Sequence, residues 1–107
     1  MNINFQKAYL EIQSSSLHSL KKTLNHKALN YCFIRNEWYL MEQHERTLRD
    51  TDRTISHNAF IDAVNIMSRN MAKCREDNSW RPLLGKDRKV LGDFACYIVY
   101  MNGLAAR

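Results

Sequence analysis

Hydrophobic positions recur at helical intervals along most of this chain. From residue 3 to about 24, Phe5, Tyr9, Ile12, Leu17, Leu20 and Leu24 fall mostly three to five apart and trace one stripe, which predicts an amphipathic helix. Ser14-Ser15-Ser16 interrupts it. Serine hydroxyls compete for backbone hydrogen bonds, so the spacing predicts a bend or break there, with one serine capping a second segment that begins near Leu17. The polar run Asn25-His26-Lys27 then reads as a connection.

A second helix is predicted from about Ala28 to Arg49, where Tyr31, Ile34, Trp38, Met41, Glu45 and Leu48 lie three or four apart. Tyr31-Cys32-Phe33-Ile34 alone has the look of a short strand, but the longer helical pattern that follows argues against one. The opposite face carries Arg35, Glu42, Arg46 and Arg49, with Glu42 and Arg46 in the i,i+4 order of a solvated helix surface. The polar segment 49–58 is rich in capping residues and reads as a loop ending in an N-cap at Thr54 or Ser56. A third helix follows to about Arg75, on the regular spacing of Phe60, Val64, Met67, Met71 and Cys74, and residues 76–79 form a linker.

The last segment is punctuated by the only proline and two of the three glycines. Arg81 is expected to be extended because a residue before proline is pushed away from helical geometry. Leu83-Leu84 forms a turn that stops at Gly85. Asp87 is the expected N-cap of a final helix with Leu91, Phe94, Ala95, Ile98, Met101 and Ala105 on one face and Tyr97, Val99, Tyr100 and Leu104 opposite. A strand over 94–101, rich in β-branched and aromatic residues, is the competing reading of the same stretch. The expectation is an all-α single domain, residues 1–107, built as a bundle of about four helices.

Composition adds limits to this pattern. An apolar fraction of 45% and a charged fraction of 25% are those of a folded globular chain. No apolar run approaches the ~20 residues that span a bilayer, and the N-terminus lacks the basic start of a signal peptide, so the chain reads as cytoplasmic with no membrane partner. Cys32, Cys74 and Cys96 are an odd number without a C-x-x-C pair and read as reduced core thiols.

The formal charge of +5 is concentrated late in the chain. Between Arg69 and Lys89 stand seven basic residues, Arg69, Lys73, Arg75, Arg81, Lys86, Arg88 and Lys89, against three acids, Glu76, Asp77 and Asp87. Beside Trp80 this cluster combines charge with a stacking surface, the pairing that nucleic-acid binders use. Those seven and Trp80 are the candidate partner- or nucleic-acid-binding residues. A solvated face is the competing reading, with Asp87 and Asp93 pairing with Arg88 and Arg81 to cancel part of the field.

Catalytic patterns fail one by one. His44-Glu45 does not continue as H-E-x-x-H, and a three-ligand set from His44, His57 and Cys74 requires convergence across helices, so no metal and no cofactor is expected. A phosphate-binding P-loop needs glycine where Trp80 stands and Ser or Thr where Asp87 stands. There is no G-x-S-x-G, and Cys96 sits in an apolar run that makes a thiol inert. The chain is therefore expected not to be an enzyme. Asp50, Asp52, His57, Asn58 and Asp93 are the candidates for a polar cluster between helices, with capping the first explanation for Asn58 and Asp93 and an Asp93–Arg53 or Asp93–Arg69 pair the sharper one.

The blocks R-T-I-S-H-N-A-F-I-D-A-V-N-I-M-S-R-N-M (53–71) and W-R-P-L-L-G-K-D-R-K-V-L-G-D-F-A-C-Y-I (80–98) resemble small uncharacterised proteins of Gram-positive phages and conjugative elements. That setting includes anti-CRISPR and other anti-defence inhibitors. The resemblance implies a non-enzymatic accessory or inhibitory factor whose partner is a host protein or nucleoprotein complex such as a nuclease. A small DNA- or RNA-binding regulator is the alternative, and the apolar last helix adds a homodimer as a further expectation.

Overall fold

A computed structural model of the chain describes residues 2–106, and its order is α1 (Ile3–Gln13), α2 (His18–Leu40), α3 (Gln43–Lys73), α4 (Trp80–Leu84) and α5 (Arg88–Ala105). The protein is an all-α bundle, with no strand among the described residues. The stretch 94–101 is helix throughout, because Leu91, Phe94, Ala95 and Ile98 share the face that α5 buries.

The break at the serines is present. Asn2 caps α1 by accepting from the Phe5 amide at 3.0 Å, and Phe5, Ala8, Tyr9 and Ile12 bury one face before the helix ends at Ser14. Ser15 and Ser16 are then held by Glu76, whose carboxylate accepts from the Ser15 hydroxyl and from both the amide and the hydroxyl of Ser16, the last two at 2.9 and 2.7 Å. One side chain thus clips the α1–α2 corner to the segment after α3.

Two expected connections do not exist. α2 runs straight through Asn25-His26-Lys27, since Leu24, Ala28 and Tyr31 all lie on its buried face and no Gly or Pro stops it. α3 likewise runs through 49–58, where the ion pairs Arg49–Asp52 (3.0 Å) and Asp50–Arg53 (3.2 Å) support an exposed helical surface. Thr54 and Ser56 are therefore interior positions, and the Ser56 hydroxyl donates to the Arg53 carbonyl.

The chain turns instead at Met41-Glu42, where both residues are extended. Arg46 does not pair with Glu42. Its guanidinium donates to the Trp38 and Tyr39 carbonyls at 3.1 and 2.8 Å and so caps the end of α2, while the Trp38 indole donates back to the Arg46 carbonyl. Arg46 and Arg53 lie against the Trp38 ring at 4.9 and 4.6 Å from its centroid. The resulting α2–α3 hairpin sets the long dimension, since a 31-residue helix extends ~46 Å in a molecule 47 Å long.

α3 ends in a Schellman arrangement: the Glu76 amide donates to the Met71 carbonyl and the Arg75 amide to that of Ala72, with Arg75 left-handed at φ 59°. Arg81 is helical in spite of Pro82, because Pro82 lies in the first turn of α4, where its missing N–H has no intrahelical acceptor to lose. Gly85, at φ 68°, ends that turn as the sequence indicated. Asp87 caps α5, accepting from the Lys89 and Val90 amides at 2.8 and 3.3 Å.

The core joins α1, the first half of α2, the second half of α3, α4 and α5 around Phe5, Phe60, Trp80 and Phe94. Cys74 is exposed and only Cys32 and Cys96 are half-buried, so none of the three is a core thiol in the full sense.

Candidate functional site: a cationic cleft

The basic cluster of 69–89 does not form one surface. Trp80 has no exposed area, and its amide donates to Glu11 at 3.0 Å, so it is a core residue and offers no stacking face. Arg81 is half-buried and spans from Asn65 (2.9 Å) to the Gly85 carbonyl (2.9 Å), tying α4 to α3. Lys86 is exposed on the turn beyond it. Arg69, Lys73 and Arg75 are exposed along the last turns and end of α3. Arg88 and Lys89 stand apart from Arg69, Lys73 and Arg75, because Arg88 meets α3 at His57 and Asn58, and Lys86, two residues before Arg88, does not line the same recess. Arg69 is twelve residues beyond His57 on the same helix, roughly 18 Å along its axis.

Around Arg88 and Lys89 the structure assembles a different site. A cleft of about 570 Å³ is lined from α2 by Tyr31, Arg35 and Tyr39, from α3 by Arg53, Thr54, His57 and Asn58, and from the first turn of α5 by Arg88 and Lys89. The register explains the convergence. Residues 31, 35 and 39 are spaced i, i+4, i+8 and 53 and 57 are spaced i, i+4, so each helix turns a single ridge toward the gap.

Tyr31 and His57 form the floor, stacked at 4.8 Å with an interplanar angle of 19°. The close approach of α5 to this floor requires Gly92, at which a Cβ would lie 2.8 Å from the Tyr31 hydroxyl oxygen. Arg88 Nη2 stands 3.3 Å from His57 Nδ1 and donates to Asn58 Oδ1 at 2.8 Å. A guanidinium can only donate, so Nδ1 accepts and the ring proton is on Nε2. Burial, reinforced by the adjacent Arg88 charge, lowers the His57 pKa and keeps the ring neutral at pH 7. Burial also raises the Tyr31 pKa.

Arg35 is the innermost cation, its side chain 15% exposed. Burial disfavours its charge, but the hydrogen bond to Asp93 and smaller contributions from Tyr39, Tyr31 and Cys96 together outweigh it, and its pKa is raised. Asp93 Oδ1 accepts from Arg35 Nη2 at 2.7 Å, so its partner is neither Arg53 nor Arg69, and Arg81 takes no part. Arg35 Nη1 lies 3.7 Å from Cys96 Sγ, and burial pushes that thiol up to about 12. Asp50 pairs with Arg53 from the rim. Of the polar cluster expected from sequence, His57 and Asn58 are in the cleft, Asp93 and Asp50 hold its arginines from outside, and Asp52 pairs with Arg49 away from it.

The lining contains four permanent cations and no Asp or Glu. Arg88 and Lys89 have no carboxylate partner among the described residues. Two buried nitrogens on lining residues, Arg53 Nε and His57 Nε2, also lack a hydrogen-bond partner. No group of three potential metal ligands exists among the described residues. His44 and His57 lie on α3 and Cys74 caps its end, thirteen and seventeen residues from His57, roughly 20 and roughly 25 Å along the axis, and so they do not converge.

Sequence reasoning found Arg88 and Lys89 but missed Arg35, Arg53, Tyr31 and Tyr39, which lie far from them in the chain. The only signal for Tyr31, Arg35 and Tyr39 was the four-residue repeat of aromatic and basic residues on α2, and Arg53, on α3, had none. Among the described residues no helix is long and apolar enough to cross a membrane. In comparisons with protein families, curated proteins and solved structures, nothing matches this chain.

Proposed function

We propose that the protein is a non-enzymatic binding protein that engages nucleic acid, free or within a nucleoprotein, through the cleft between α2, α3 and α5. The observation that carries this reading is the convergence of Arg35, Arg53, Arg88 and Lys89 from three helices on a recess without a carboxylate. Guanidinium groups present planar pairs of N–H donors that match phosphate oxygens, and their charge attracts a polyanion from a distance. The remaining lining is the hydroxyls of Tyr31, Tyr39 and Thr54, the Asn58 amide and the buried His57 imidazole, whose Nδ1 already accepts from Arg88; no carboxylate or thiol stands beside them, which favours binding over catalysis. An accessory or inhibitory role in a mobile element, acting inside the cell on a nuclease-like nucleoprotein, is the setting that the resemblance of 53–71 and 80–98 supplies.

The test is binding of a single-stranded oligonucleotide at increasing salt. Each phosphate contacted contributes about −0.7 to the slope of log affinity against log salt, so binding should weaken with salt at that slope or more steeply. Arg88→Glu with Lys89→Glu abolishes binding, whereas Lys73→Glu with Lys86→Glu, outside the cleft, leaves most of it. Absence of binding at low salt, or equal losses from the two pairs, sinks the reading.

A further inference from the structure

We infer that the cleft is shaped for one nucleotide carrying a terminal phosphomonoester, with the phosphate on Arg88, Lys89 and the free donors of Arg35 and Arg53, and the base beside Tyr39. The inference rests on the nucleic-acid reading above and adds what part of the polymer enters.

Shape is the first argument. Nonspecific binders track a backbone along an open groove, keeping the phosphates at the surface. This site is instead a recess between three helices, closed below by Tyr31 and His57, which are 3% and 6% exposed. A terminal phosphate can meet all four cations without the chain continuing past them, whereas one in mid-strand needs a second path out between the helices. A phosphate group alone fills a small part of a volume near 570 Å³. That volume falls in the ~300–1,000 Å³ range of small-molecule and cofactor sites, so there is room for the attached nucleoside.

Charge is the second argument. Asp93 and Asp50 each occupy part of Arg35 and Arg53, leaving Arg88 and Lys89 as the lining cations without a carboxylate among the described residues. A monoester carries about −1.5 to −2 charges at pH 7 and three acceptor oxygens, whereas a backbone diester carries about −1. Two uncompensated cations flanked by two arginines with spare N–H groups match the dianion better.

The third argument is the rim. Tyr39 is 53% exposed, and one face of its ring is covered by the Arg35 guanidinium at 5.6 Å from the centroid. Trp38 packs against the same ring at 5.3 Å and 78°, and a base at the rim can lie on the part of Tyr39 that these two neighbours leave exposed, since every base has a face to offer. The Asn58 amide, whose oxygen is taken by Arg88, keeps its Nδ2 donors for a base edge or sugar hydroxyl.

The experiment titrates the intact protein with one oligonucleotide sequence bearing a 5′-phosphate or a 5′-hydroxyl, with a nucleoside monophosphate and its nucleoside, with inorganic phosphate and with a phosphoserine peptide. Calorimetry and the fluorescence of Trp38, which touches Arg53, read the binding. The phosphorylated strand is expected to bind about tenfold or more tightly than the hydroxyl strand, the scale of one lost set of charge-assisted hydrogen bonds. That preference disappears in Arg88→Gln and in Lys89→Gln, both exposed positions whose variants are checked for an unchanged Tm. A nucleoside monophosphate that matches the strand identifies the free nucleotide as the ligand; a weaker one identifies the strand end. Equal binding of phosphorylated and hydroxyl strands overturns the inference while the nucleic-acid reading stands. Phosphoserine peptide or inorganic phosphate binding as tightly as the nucleotide also overturns it. Failure of every nucleic acid at low salt removes both.

Discussion

Arg35 on α2 and Asp93 on α5 are joined at 2.7 Å, with the cation 15% and the carboxylate 43% exposed. This pair fixes the deepest arginine of the cleft and ties the two helices that wall it. Because Asp93 is largely solvated, the bond itself is a modest contributor. Asp93→Asn is expected to cost about 1 kcal/mol in urea denaturation, the scale of a partly exposed charged hydrogen bond. The same change removes the negative charge beside Arg35 while leaving an oxygen that can still accept from Nη2, so anion affinity should rise as stability falls. A parallel loss of both would show that Asp93 organises the cleft through more than this bond.

Gly92 and Tyr31 are coupled by lack of space. Adding a Cβ at 92 meets the Tyr31 hydroxyl at 2.8 Å and its ring carbons at 3.2 and 3.3 Å. Overpacking costs about 1–3 kcal/mol, and the better helix propensity of alanine returns ~1. Gly92→Ala should therefore lose about 1 kcal/mol net, and Tyr31→Phe introduced with it should recover part of that loss. A double-mutant cycle measures the coupling, and strict additivity would mean that the backbones simply move apart.

Arg75 holds a left-handed conformation that an L-residue adopts at a cost of roughly 1 kcal/mol, and its side chain is exposed. Arg75→Gly should stabilise the fold by about 0.5–1 kcal/mol, seen as a higher Tm. It should leave cleft binding intact, because Arg75 lies at the far end of α3.

Glu76 and His57 shape the upper part of the acid limb of the stability curve, with Asp77, whose carboxylate accepts from Ser79, adding to it at lower pH. The hydrogen bonds from Ser15 and then Ser16 lower the Glu76 pKa below its ordinary 4.5. Its contribution is therefore complete above 4.5 and is lost as pH falls through the depressed folded value. Burial lowers His57 below 6.5, so the unfolded chain takes up a proton that the folded one refuses, and stability declines once pH falls below 6.5. His57→Gln should flatten the fall between pH 7 and 5, and Glu76→Gln should flatten only the part below 4.5. Denaturation midpoints across pH check both.

The fold was readable where periodicity was backed by a cap or a breaker. The serine break, the stop at Gly85, the Asp87 cap and the buried face of α5 all follow from local chemistry visible in one stretch of chain. The two misplaced connections share a cause. Asn25–Lys27 and 49–58 are polar and free of Gly and Pro, and polarity alone does not stop a helix whose flanks are packed. The true turn at Met41-Glu42 carries no turn residue, since Arg46 makes it by capping α2 from four residues further on. The cleft was half-legible for a related reason. Arg88 and Lys89 belong to a visible charge cluster, but Arg35 and Arg53 join them only once α2 and α3 pair, and Trp80, the supposed stacking surface, was needed by the core.

The hairpin of α2 and α3 also divides the molecule into two tiers of cooperativity. Tyr31 is the last fully buried residue of α2 and Ser56 the first of α3, so everything between them is held by half-buried contacts such as Trp38 with Arg46 and Arg53. Amide hydrogens there should exchange through openings that leave the remaining helices intact. The cleft straddles that boundary, with Arg35 and Arg53 on the looser side and Arg88 on the firmer one. A ligand bridging them would slow exchange as far out as the hairpin tip, at residues it never touches.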